Sequence, residues 1–67
     1  MYKKSIDTAA QDVQVGDILA NGWDVTEVNI SATEVEIVSR TPDANEPQIV
    51  RLAPGTIVIV IQYSEED

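Results

Sequence analysis

Strand signals dominate the hydrophobic pattern of this chain. Val, Ile and Thr recur between turn-forming residues, and no window shows the three-and-four spacing of a helical stripe. Ser5–Gln11 (SIDTAAQ) is the best helical segment, a single turn at most, with Ser5 or Asp7 as its cap. Val13 and Val15 alternate before a turn at Gly16-Asp17, and Ile18–Ala20 reads as a short strand. Asn21-Gly22 is the strongest local signal, a type I′ turn with positive φ at both central positions, leading into a strand over Trp23–Ile30. A weaker turn at Ser31–Thr33 precedes a strand over Glu34–Arg40, and Thr41–Pro47, with two prolines and no apolar anchor, is an exposed loop. Gln48–Leu52 is a strand, Pro54-Gly55 fits the centre of a type II turn, and Thr56–Tyr63 closes the fold. Five short strands with brief connections predict an all-β fold, a small five-stranded antiparallel SH3-like barrel with one short helical turn near the N-terminus. An OB-fold is less suited, since it usually needs more residues and a helix between its middle strands. Residues 1–63 form the expected single domain and 64–67 an acidic tail.

The middle hairpin carries a sharper inference. Pairing Trp23–Ile30 with Glu34–Arg40 groups Val28, Ile30, Val35 and Ile37 on one face and Glu27, Glu34 and Glu36 on the other. Toward the far end the apolar side changes over, through Trp23, Val25 and Val38. A bulge near Thr26–Glu27 shifts the register and is expected to bring these three inward; without one they form a second apolar patch. Trp23, the only tryptophan, is read first as a barrel plug and second as an interface anchor.

The closing strand breaks the pattern. Ile57–Ile61 is an unbroken run of β-branched apolar residues, so both faces of the strand are apolar. Either Ile57, Ile59 and Ile61 fill the core while Val58 and Val60 point outward, or the reverse holds. The Ser5–Gln11 segment or a partner must cover the outer set. A covering partner is the expectation here, with Val58 and Val60, together with Trp23, Val25 and Val38, as the candidate interface.

Charge and chemistry narrow the function. The 67 residues hold 12 carboxylates against four cations, a net charge of −8. Nucleic-acid binding needs a basic footprint that these residues cannot assemble, and anionic membrane surfaces are disfavoured for the same reason. Glu27, Glu34 and Glu36 form the one acidic patch expected on a rigid surface, either a solvated face or a docking site. With no Cys and no His, disulfides, thiolate metal sites and the usual base–nucleophile pairs are ruled out. Asp43–Glu46 lacks the central Gly and spaced Glu of a calcium loop, and the three glycines sit singly in turns. No enzyme activity, cofactor or metal is expected. No apolar run approaches the roughly 20 residues of a membrane-spanning helix. Met1–Lys4 leads into polar residues rather than a secretory apolar segment, so a cytoplasmic setting is expected.

The stretches VQVGDILANGWDVTEV (Val13–Val28) and RLAPGTIVIVI (Arg51–Ile61) resemble small uncharacterised proteins of tailed bacteriophages, particularly those of actinobacteria. The shared elements are turn chemistry: Val15-Gly16-Asp17, Asn21-Gly22 and Pro54-Gly55-Thr56. The resemblance implies an SH3-like barrel, a phage origin, the bacterial host cytoplasm and a non-catalytic role; it carries over no functional residue.

Three functions fit these constraints. The first is a binding module that docks on a host or phage protein as inhibitor or adaptor. The second is an acidic DNA mimic that blocks a nucleic-acid-binding protein. The third is a structural or accessory barrel that self-associates as a homodimer.

Overall fold

The computed structural model describes residues 2–64 and arranges them as one antiparallel sheet of six strands. The strands are β1 (Tyr2–Ala9), β2 (Ile18–Leu19), β3 (Asp24–Ile30), β4 (Val35–Arg40), β5 (Gln48–Leu52) and β6 (Ile57–Ser64). Their spatial order is β1-β6-β2-β3-β4-β5, an open sheet with β1 and β5 at its edges rather than a closed barrel of five strands. The expected tail at 64–67 overlaps the end of β6 at Ser64, and residues 65–67 lie outside the described residues.

The additional strand is β1, where a helical turn was expected over Ser5–Gln11. Only Ala10–Asp12 is helical, as a 3-10 turn. A lone helical turn is marginal in water. An extended Tyr2–Ala9 instead pairs with β6 along its whole length, from Tyr2 opposite Ser64 to Ala9 opposite Ile57. The extended form also turns Ile6 and Thr8 toward the same face as their partners Val60 and Val58, a period-two pattern that a helix cannot satisfy.

The β3–β4 hairpin contains the bulge. Asp24 and Val25 face Arg40 and Ser39, whereas Glu27 to Ile30 face Val38 to Val35, so Thr26 is the extra residue. The shift brings Val25 onto the face of Val35 and Ile37, where it is 2% exposed. Val38 does not follow: it stays on the opposite face, half-buried beside Glu27 and Ile49.

The turns follow their local chemistry with one change. Thr56 N–H donates to Ala53 O at 3.1 Å around Pro54 and Gly55, whose φ of +89° is the type II geometry expected. At Asn21-Gly22 only Gly22 has positive φ. Gly22 N–H donates to Leu19 O, and Leu19 N–H to Trp23 O, so this is a three-residue loop closed by a glycine bulge rather than a type I′ turn. The Asn21 side-chain oxygen accepts from Trp23 N–H at 3.1 Å, the local bond that lets Asn keep negative φ here.

The core lies on the inner face, where Val25, Val35, Ile37 and Val60 meet Ala10 and Val13, with Leu19, Val28, Leu52 and Val58 packed around them. Val60 belongs to β6 and Val35 and Ile37 to β4, so the sheet curls to bring distant strands together. Ala10 N–H to Thr56 O (2.8 Å) and Gly55 N–H to the Gln11 side-chain oxygen (2.8 Å) tie the 3-10 turn across one end. Ser39 is fully buried, opposite Val25 and Gln48, and its hydroxyl has no hydrogen-bond partner among the described residues. Desolvating an unpaired hydroxyl is costly, so Ser39→Ala is expected to raise stability by about 1 kcal/mol. Urea unfolding checks this; a loss of stability would show that the hydroxyl is satisfied.

Candidate functional site

Strand alternation decides which side of β6 is open. Val58 and Val60 turn inward, so the second arrangement weighed for the closing strand is the one found. Ile57 is 58% exposed, Ile59 37% and Tyr63 54% on the outer face, with half-buried Ile61 between the last two. Of the residues expected to form an interface, Val25 and Val60 are core, Val58 packs against the core, Trp23 is half-buried, and Val38 is half-buried on the outer face. These five therefore do not form one exposed surface. The outward apolar residues of β6 are the isoleucines and Tyr63.

Neighbouring strands extend this row. Ile18 in β2 lies opposite Ile61, and Ala20 N–H donates to Ile59 O at 3.1 Å, placing Ile18 and Ala20 beside the row. On the other side β1 sets Lys3 opposite Tyr63, Ser5 opposite Ile61, Asp7 opposite Ile59 and Ala9 opposite Ile57. Beyond Ile18 the same face continues through Asp24 to Arg40. Lys3 and Asp7 border the row directly, and Asp24 and Arg40 face each other further across the same face. They balance, although the whole chain is strongly acidic.

The acidic patch occupies the other half of the outer face and is braced within the chain by one cation and one amide. The Arg51 guanidinium lies 3.1 Å from a Glu36 carboxylate oxygen and 3.9 Å from one of Glu34. The Asn29 side-chain amide donates to Glu27 at 2.6 Å and to Glu36 at 3.0 Å. Strand register builds this arrangement, since Asn29, Glu36 and Arg51 are cross-strand neighbours on β3, β4 and β5. The residue pattern places the three glutamates and Asn29 on one face but does not reveal Arg51, the cation that braces them. The pairing of Gln48–Leu52 with Glu34–Arg40 was the signal that would have placed Arg51 opposite Glu36.

Among the described residues no group of three or more acidic, His or Cys side chains is placed to hold a metal ion, and no cavity opens. No helix among them is long and apolar enough to cross a membrane. Comparisons with family models, with curated proteins and with solved structures found no match for the chain.

Proposed function

We propose that this chain is a non-catalytic binding module that docks a host or phage protein through the outer face of β6. The observation that carries the reading is the contiguous row Ile57, Ile59, Ile61 and Tyr63 on a six-stranded sheet whose inner face holds the core. Large apolar side chains left side by side on a rigid strand favour a second apolar surface over water, at about 25 cal/mol per Å² covered. The phage setting and the bacterial cytoplasm rest on the resemblance carried by the turn motifs.

Electrostatics separates this reading from the DNA mimic. A mimic needs rows of uncompensated carboxylates, and the rigid cluster here is braced by Arg51 and Asn29. Contact at the β6 row involves a locally balanced set of charges, so retention of the partner is expected to change by less than about threefold between low and high salt. The test is capture on immobilised protein, eluted with a salt gradient and with duplex DNA. Partners that survive salt and are not displaced by DNA support docking; release by either one supports the mimic.

A further inference from the structure

β1 is the long open edge of the sheet. Its eight residues keep an unbroken register with β6, without the proline or bulge that commonly blunts an edge. The opposite edge, β5, has only five residues and follows Pro47. The bond from Ala10 N–H to Thr56 O fixes the phase of the β1–β6 ladder. Counting back by twos, Thr8, Ile6, Lys4 and Tyr2 direct their backbone groups toward β6, whereas Lys3, Ser5, Asp7 and Ala9 direct theirs away from the sheet. Among the described residues no other strand takes up those groups. The side chains of Lys3, Ser5 and Asp7 are exposed, on the same outer face as the β6 row.

We propose that β1 pairs antiparallel with β1 of a second copy of this chain, about a twofold axis at Ser5. The outward backbone groups belong to alternate residues, so the register can change only in steps that keep these residues opposite one another. Centring on Ser5 sets Lys3 of each copy opposite Asp7 of the other, forming two symmetry-related ion pairs at once. A step one way sets Lys4 against Lys4; a step the other way sets Asp7 against Ser5 and separates the charges. The edge is thus self-complementary in one register.

The axis of an antiparallel pair is normal to the sheet, so both β6 rows emerge on the same side of a twelve-stranded sheet. Three strand spacings, about 14 Å, separate them. This goes beyond docking by a single row, because the dimer presents two rows at a fixed separation.

Sedimentation of the full chain, run at about 0.15 M salt to screen the repulsion between two acidic chains, tests the pairing. The expected result is a concentration-dependent dimer. Lys3→Asp and Asp7→Lys are each expected to weaken it about tenfold, and the double exchange to restore it within about threefold, because swapping both charges regenerates the same pairs. Ser5→Pro, which deletes an N–H that the fold does not use, is expected to give a monomer with an unchanged circular dichroism spectrum. A strict monomer up to ~1 mM overturns the proposal. So does a double exchange that binds no more tightly than the single variants, or a dimer lost on replacing Ile57 and Ile59 but indifferent to residues 3 and 7. These outcomes do not depend on capture of a heterologous partner, so the dimer and the docking face fail separately.

Discussion

Replacing Ile37 by Ala is expected to lower stability by about 3 kcal/mol, enough to leave the chain partly unfolded at ambient temperature. Ile37 is 2% exposed in the middle of β4, opposite Val28 and Val50, and it belongs to a core of six buried apolar residues among the described residues. A chain of 67 residues has a total stability of about 3–10 kcal/mol, so one such cavity removes a large share. Ile49, one strand away but 51% exposed on the outer face, provides the contrast. Ile49→Ala is expected to stay within about 0.5 kcal/mol of the native chain. Urea denaturation of the two variants checks the assignment of faces; equal effects would show that the inner face is not where the core lies.

The second large effect concerns binding rather than stability. Ile57→Thr combined with Ile59→Thr is expected to leave folding within about 1 kcal/mol of the native chain, because Thr keeps the β-branched shape that suits a strand. Both positions face outward, Ile57 58% and Ile59 37% exposed, so the burial lost is partial and lies outside the core. At a docked interface the same change removes two apolar anchors, and partner affinity is expected to fall about 10–100-fold. Val60, adjacent in sequence but 2% exposed, behaves oppositely: Val60→Thr puts a hydroxyl into the core and is expected to act through stability.

Much of the fold was legible because turn chemistry and alternation are local. Pro54-Gly55, the Gln48–Leu52 strand and the bulge at Thr26 follow from residue types and from the conflict between Val25 and Val28 over which face is apolar. β1 was not legible in the same way. Ser5, Asp7 and Ala9 weaken its alternation, and its strand character comes from partners 48 to 62 residues away in the chain. The open sheet was missed for a related reason, since strand count and turn spacing do not say whether the edges meet. On β6 no local rule could choose between isoleucines and valines as the buried set. That choice is made by register: Ile6 and Thr8 on one side and Leu19 on the other converge on Val58 and Val60. The candidate interface therefore moved by one residue, which on a strand means to the other face.

The most direct test of the docking face is a parallel capture with three immobilised proteins: the native chain, the Ile57→Thr/Ile59→Thr variant, and a Glu34→Gln/Glu36→Gln variant that disarms the acidic half of the same face. The predicted result is a partner held by the native chain and by the glutamine variant, and lost by the threonine variant while its thermal unfolding remains close to native. Retention by the threonine variant, or loss by the glutamine variant alone, would contradict recognition through the β6 row.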